Sequence, residues 1–60
     1  MESREWRKPV DVARELGIPT RQLYRLIDEG ALPAYRFGRT IRLLATDVDE
    51  YRRRRAAGER

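Results

Sequence analysis

Arginine dominates the side chains of this sequence that could bind a ligand. The chain has 60 residues with 14 basic and 10 acidic side chains, a net charge of +4, and Lys8 is the single lysine. A guanidinium group presents a rigid fork of donors that suits phosphate groups and guanine edges. Arginine is also the default basic residue of a GC-rich coding sequence. Composition alone therefore leaves open both a polyanionic partner and a merely solvated surface.

The residue types that usually carry out catalysis are scarce. The sequence has no cysteine and no histidine, so the commonest nucleophile, general base and metal ligands are missing. The carboxylates are scattered over solvent-facing positions and helix N-termini, without a nucleophile or phosphate-binding loop beside them. We therefore expect no enzyme activity, no metal, no cofactor and no small-molecule ligand.

Length and hydropathy predict one small domain without a membrane segment. No apolar run approaches the ~20 residues that a membrane span needs, and the first eight residues lack the apolar stretch of a secretory signal. We expect a cytoplasmic protein. Residues 1–8 should form a lead-in that packs the Trp6 ring, residues 9–57 the domain, and residues 58–60 a frayed tail.

Two short helices joined by a tight turn are predicted in the first half of the chain. Pro9 suits the first position of a helix, and Gly17 suits its end, although Lys8 is a poor N-cap. The apolar residues recur with helical spacing at Pro9, Val12, Ala13 and Leu16. A second helix from Thr20 to Asp28 has its inner face at Leu23, Leu26 and Ile27. This arrangement matches the helix-turn-helix pattern.

The outward face of the second helix is polar, basic and aromatic. On a helical wheel Arg21 and Arg25 lie opposite the apolar side, with Tyr24 and Gln22 on the flanks. We expect the Tyr24 ring to be partly buried and to complete the core. The alternative to ligand binding for Arg25 is a salt bridge to an acidic residue three or four positions later on the helix. Arg21 has no acidic residue at a suitable helical spacing.

A β-hairpin is predicted after the second helix. Residues 34–37 and 41–43 alternate between apolar and polar types on either side of a glycine. A two-residue turn at residues 38–39 would mix apolar and charged side chains on both faces. A three-residue loop at residues 38–40 gathers the apolar side chains on one face, and we expect this register.

The expected register has a consequence for charge. It pairs Phe37 with Ile41, Tyr35 with Leu43, and Arg36 with Arg42. Two arginines directly opposite each other repel by about 0.2–1 kcal/mol. An anionic partner would relieve that repulsion, although solvent screening would also reduce it.

A third helix is predicted in the last part of the chain. Thr46 is a good N-cap, and Asp49 three residues later resembles the acid of a capping box. Val48 and Tyr51 should pack inward. The run Arg52–Arg55 lies at the end of this helix, where positive charge suits the helix dipole.

From Pro9 to Tyr51 the sequence resembles the excisionase-type branch of the MerR-like winged helix-turn-helix domains. The resemblance rests on VARELGI, QLYRLIDEGALPAYRFGRTIRL and DVDEY, in that order and spacing. It implies an α+β, mainly α fold with the order helix-helix-β-hairpin-helix. Lys8 and Pro19 depart from the family, which commonly has Ser or Thr at these caps. If Thr20 takes over the second cap, the helix starts one residue later.

The resemblance implies two DNA-contacting elements, a helix in the major groove and a hairpin that acts as a wing along the backbone or in the minor groove. The major-groove candidates are Thr20, Arg21, Gln22, Tyr24 and Arg25. The wing candidates are Arg36, Gly38, Arg39, Thr40 and Arg42. Phosphate or partner contact is an alternative to a solvated helix end for Arg52, Arg53, Arg54 and Arg55.

The resemblance also implies a role. Because the chain ends soon after the third helix, we expect an excisionase rather than a ligand-responsive regulator. Such a protein binds adjacent double-stranded DNA sites cooperatively with further copies of itself, bends the DNA and directs a site-specific integrase toward excision. A small transcriptional regulator, the DNA-binding part of a phage packaging subunit, and a protein-interaction module with an acidic partner are the alternatives. Double-stranded RNA is disfavoured because its major groove is deep and narrow.

Overall fold

Three helices and a small antiparallel sheet make up the computed structural model, which describes residues 5–58. The elements are β1 (Trp6–Arg7), α1 (Pro9–Leu16), α2 (Thr20–Asp28), β2 (Tyr35–Phe37), β3 (Thr40–Leu44) and α3 (Ala45–Ala56). The strand order in the sheet is β1-β3-β2. The expected fold class and the bounds of the first two helices are confirmed. The expected lead-in contains a strand as well, while residues 1–4 and 59–60 lie outside the described part.

Both helices of the pair end at a glycine, as the sequence predicts. Gly17 has a φ of 72°, and the N–H of Ile18 after it donates to the carbonyl oxygen of Ala13 at 3.0 Å. This is the Schellman arrangement, which pairs the last carbonyls of a helix and turns the chain sharply. The same arrangement ends α2 at Gly30, which has a φ of 80°. The two turns keep α1 and α2 short and place them against each other.

The second helix begins without a side-chain cap. Pro19 occupies the cap position with an extended backbone, and its carbonyl oxygen accepts the N–H groups of Gln22 and Leu23 at 3.0 and 3.1 Å. Thr20 is already the first helical residue, so the hypothesis that it takes over the cap is wrong. The fixed φ of proline provides the extended entry that a cap residue needs.

The third helix begins two residues earlier than the capping pattern predicts. Leu44 lies at the cap position and Ala45 is the first helical residue, so the prediction that Thr46 is the N-cap is wrong. The N–H of Ala45 donates to the carbonyl oxygen of Glu5 at 2.9 Å. Because the chain before β1 satisfies this donor, α3 can follow β3 without a capping side chain.

The core is small and draws on every helix. The fully buried residues are Val12, Ala13, Leu23, Leu32, Leu43 and Val48. The predicted inner residues Leu16, Leu26, Ile27 and Tyr51 pack at its margin. Leu32, in the connector between α2 and β2, is completely buried. The turn at Gly30 folds the connector back, so this leucine enters the core rather than the surface.

The hairpin has a different register from the one that the sequence favours. The observed pairs are Tyr35 with Arg42, Arg36 with Ile41, and Phe37 with Thr40. The turn therefore contains only Gly38 and Arg39, and the prediction of a three-residue loop is wrong. Gly38 has a φ of 66° and Arg39 does not have a positive φ, which fits a type II′ turn with glycine at its first position.

Trp6 explains this register. Its strand pairs with β3, and its ring lies edge-on to the rings of Tyr35 and Phe37, with centroids 5.5 and 5.0 Å away. The sheet thus has apolar side chains on both faces: Leu43 is buried against the helices, while the three aromatic rings cluster on the outside. The assumption that one face holds every apolar residue of the hairpin fails because Trp6 supplies packing for the second face.

The register predicts which engineered cysteines can form a disulfide. A two-residue turn closes with the pair Phe37–Thr40, so the next pair, Arg36–Ile41, is of the non-hydrogen-bonded kind. Its Cα atoms should lie about 4.5 Å apart, within the range of a disulfide. We expect Arg36→Cys/Ile41→Cys to lose its free thiols after mild oxidation, measured by thiol titration on the monomer.

The matched control is Arg36→Cys/Arg42→Cys, since the chain has no cysteine of its own. In the observed register these two positions face opposite sides of the hairpin, so their thiols should stay free. A disulfide in the control but not in the first variant would contradict the structure and restore the three-residue loop.

Candidate nucleic-acid interface

The exposed face of α2 collects the predicted major-groove residues. Exposed side chains occur at Thr20, Arg21, Gln22, Tyr24 and Arg25, while Leu23 between them is fully buried. The helical wheel therefore assigns the two faces of α2 correctly. A helix that is anchored by its apolar side and bare on the other can enter a groove without rearrangement.

The two arginines on the exposed face of α2 are Arg21 and Arg25. Within residues 5–58, neither Arg21 nor Arg25 forms a salt bridge, and the one considered for Arg25 with Asp28 or Glu29 is not present. The first turn of α2 contains no acidic residue. The positive end of the helix dipole and both guanidinium groups are thus available to an anion.

Tyr24 lies outside the core, contrary to expectation. Its side chain is 40% exposed, and it does not belong to the cluster of packed apolar residues. The six buried residues of the core do not include it. The ring and the hydroxyl group of Tyr24 both stand on the same surface as Arg21 and Arg25.

The wing residues are only partly brought together. Gly38 and Arg39 form the exposed tip of the hairpin, and Thr40, expected in the loop, is instead the first residue of β3. Arg36 and Arg42 lie on opposite faces, so the expected like-charge pair does not exist. Arg42 is half-buried and its Nη1 donates to the carbonyl oxygen of Ile41 at 3.0 Å. Arg36 and Arg39 are the exposed cations of the hairpin, and Arg39 lies at its tip.

The arginine run at the end of α3 divides into two pairs. Arg54 donates to the carboxylate of Glu50 at 3.5 Å and to the carbonyl oxygen of Ala31 at 3.4 Å, and Arg55 lies over the Tyr51 ring at 5.8 Å. Arg52 and Arg53 have no comparable partner within the described residues and are exposed. The second pair is tied to the fold, and the first pair is available.

Three aromatic side chains, two on the wing and one on the neighbouring strand β1, were not among the predicted site residues. Trp6, Tyr35 and Phe37 are 38, 42 and 51% exposed and form one cluster. A signal was present in the sequence, since an isolated two-stranded hairpin is marginally stable and needs a third strand or further packing. The apolar residue nearest the expected domain boundary, Trp6, was the available source.

The described region lacks features of two other kinds of protein. Among residues 5–58 no group of three or more acidic side chains is placed to hold a metal ion. No helix of that region is long and apolar enough to cross a membrane.

Together, the helix pair, the bare face of α2 and the adjacent hairpin define a winged helix-turn-helix domain. Residues 8–56 match a family model described as a helix-turn-helix domain. The chain belongs to this helix-turn-helix family, which includes excisionase-like proteins, and double-stranded DNA is the partner that such a domain implies. Neither a curated protein nor a solved structure showed a significant match to the chain.

The exposed arginines of α2 should contribute little to the free energy of unfolding, in contrast to the buried leucine on the opposite face. The double variant Arg21→Gln/Arg25→Gln should change the free energy of unfolding by less than about 0.5 kcal/mol, because no contact within the described fold is lost. Leu23→Ala on the opposite face should cost about 2–5 kcal/mol. Urea unfolding followed by circular dichroism measures both. A loss above about 1 kcal/mol in the arginine variant would show that these side chains hold the fold together.

Proposed function

We propose that the protein binds double-stranded DNA with α2 in the major groove and the β2–β3 hairpin as a wing. The observation that carries this proposal is the outward face of α2, where Arg21 and Arg25 are exposed and, within residues 5–58, unpaired. An arginine fork pairs with N7 and O6 of guanine, and a glutamine such as Gln22 pairs with adenine. Thr20 and Tyr24 border this surface and are suited to phosphate or base contacts.

The wing contributes contacts to the backbone or the minor groove in this proposal. Arg39 occupies the tip, and Gly38 beside it carries no side chain that would hold the backbone away from DNA. Thr40 adds a hydroxyl donor next to the tip. Arg36 and Arg42 point to opposite sides of the hairpin, so one of them at most lies on the DNA side together with Arg39.

The end of α3 contributes through two of its four arginines. We assign phosphate contact to Arg52 and Arg53, which are exposed and free of partners among the described residues. Arg54 and Arg55 are engaged with Glu50, Ala31 and Tyr51. Phosphate contacts set the register of a protein on DNA and raise affinity without reading sequence.

We further propose that the protein is an excisionase-like architectural factor that acts with a site-specific integrase. Two observations support this role: the sequence resembles excisionases, and the helix-turn-helix family to which the chain belongs includes excisionase-like proteins. The domain has a longest dimension of 34 Å, close to the ~34–36 Å of one turn of duplex DNA. Copies bound one turn apart would lie side by side on one face of the duplex. Bending a site costs about 1–6 kcal/mol, so adjacent copies can share that cost.

The contribution of α2 to DNA affinity should depend on the DNA sequence, whereas the contribution of the wing should depend mainly on salt concentration. On a duplex selected from a random pool, Arg21→Ala should lower affinity by roughly tenfold or more and should relax discrimination against scrambled DNA. Arg39→Ala should weaken binding to both duplexes alike and should reduce the slope of log K against log salt by about 0.9. Fluorescence anisotropy across a salt series measures both effects.

Arg14→Ala is the matched control, since it removes the same charge from a side chain on α1 that is 78% exposed and lies 3.8 Å from the carboxylate of Asp11. It should cause a small loss that is equal on both duplexes. Undiminished affinity in the Arg21→Ala/Arg39→Ala double variant would refute the DNA interface and favour a protein-interaction module.

The architectural role predicts cooperativity that depends on helical phase. Two sites about 10 bp apart should bind two copies with higher apparent affinity than one site, and the bend should increase with the second copy. At about 15 bp the copies lie on opposite faces and cooperativity should disappear. Electrophoresis of circularly permuted duplexes measures bend and occupancy together. Independent binding at both spacings without a bend would contradict this role and favour a transcriptional regulator of the same fold.

A further inference from the structure

The segment Glu5–Arg7 connects three parts of the domain that DNA binding must hold in place. The carbonyl oxygen of Glu5 accepts the N–H of Ala45 at the start of α3, and Arg7 forms an ion pair with Glu15 on α1. Between them, Trp6 packs against the hairpin. The segment lies ahead of residues 8–56, the region matched by the family model.

The outer strand of the hairpin, β2, has little side-chain packing beyond its ladder with β3. All three residues of β2 are exposed, and the last of them, Phe37, is 51% exposed. Apart from its ladder with β3, the side-chain contacts of β2 that the structure gives within residues 5–58 are those with Trp6, at 5.5 and 5.0 Å. Edge-on aromatic pairs of this kind contribute about 0.5–1.5 kcal/mol each beyond their buried area.

The contact with Phe37 lies at the base of the wing tip. Phe37 pairs with Thr40 across the turn, and Arg39 is carried between them. A ring that fixes Phe37 therefore limits the swing of the tip relative to the helices. Trp6 pairs with β3 through its own backbone, while its neighbours Arg7 and Glu5 bind α1 and the start of α3. The segment that carries Trp6 therefore links the tip to the helices.

We infer that Trp6 is a positioning residue for the wing. It fixes the position of Arg39 relative to α2, so that both can contact the same DNA duplex, and it does not touch DNA itself. This inference rests on the proposed DNA contact of Arg39. It extends the DNA-binding unit to Glu5–Arg7. It also assigns a function to the aromatic cluster, whose side chains are too exposed to serve as core.

A double-mutant cycle on the full chain tests the inference. Trp6→Ala should weaken binding to a selected duplex by roughly fivefold to tenfold, about as much as Arg39→Ala. The double variant should bind no more weakly than either single variant, because Arg39 without its support is already lost. In contrast, Trp6→Ala combined with Arg21→Ala should multiply the two losses. Trp6→Phe should retain most of the affinity.

Two further measurements separate positioning from a general loss of fold. Amide exchange at Thr40 should accelerate in Trp6→Ala, whereas the NMR signals of Leu23 and Leu43 in the core should keep their positions. If Trp6→Ala does not fold, the milder Trp6→Leu takes its place in the cycle.

The outcomes distinguish this inference from the proposed function. If Arg39→Ala weakens binding while Trp6→Ala does not, or if their losses multiply, Trp6 does not act through the wing and the inference alone is overturned. If Arg39→Ala has no effect on any duplex, the wing contact itself is wrong and the inference falls with it, whereas the major-groove contact of α2 is tested separately by Arg21→Ala.

Discussion

The edge-on packing of the Trp6 ring against Tyr35 and Phe37 determines how the sheet divides its side chains between two faces. A domain of this size has few apolar residues, and the core cluster within residues 5–58 has six buried members. Without the Trp6 ring, Tyr35 and Phe37 would be more exposed to water on the outer face of the hairpin. With it, β3 can present Leu43 to the helices while the rings gather outside. The two-residue turn, the exposed position of Arg39 and the separation of Arg36 from Arg42 all follow from this division.

The parts of the fold that depend on local sequence could be predicted, and the parts that depend on distant contacts could not. Helical spacing and the glycines that stop a helix act within a few residues, so α1 and α2 have the predicted bounds. The hairpin register depends on Trp6, which is remote in the chain and pairs through β1. The start of α3 depends on the carbonyl oxygen of Glu5. Cross-strand and capping rules rank local alternatives, and a partner from elsewhere can reverse that ranking.

The same distinction applies to the candidate interface. The exposed face of α2 follows from periodicity alone and does not change with the hairpin register, so it was predictable residue by residue. Tyr24 was not, because it lies on the flank of the helix, where the wheel does not decide whether a ring joins the core. The arginine run of α3 looks uniform in sequence, yet Arg54 reaches the carbonyl oxygen of Ala31 beyond the end of α2. Only the folded chain shows which guanidinium groups remain free to meet an anion.

We propose that DNA contacts the exposed face of α2 together with the tip of the wing. This interface can be mapped by titrating isotopically labelled protein with a selected duplex and following the amide and arginine side-chain NMR signals. We expect the largest changes at Arg21, Gln22 and Arg25 and at Gly38 and Arg39, with little change at Val10 and Arg14 on α1. Changes centred on Arg52–Arg55 or on the aromatic cluster, with the α2 signals undisturbed, would contradict it.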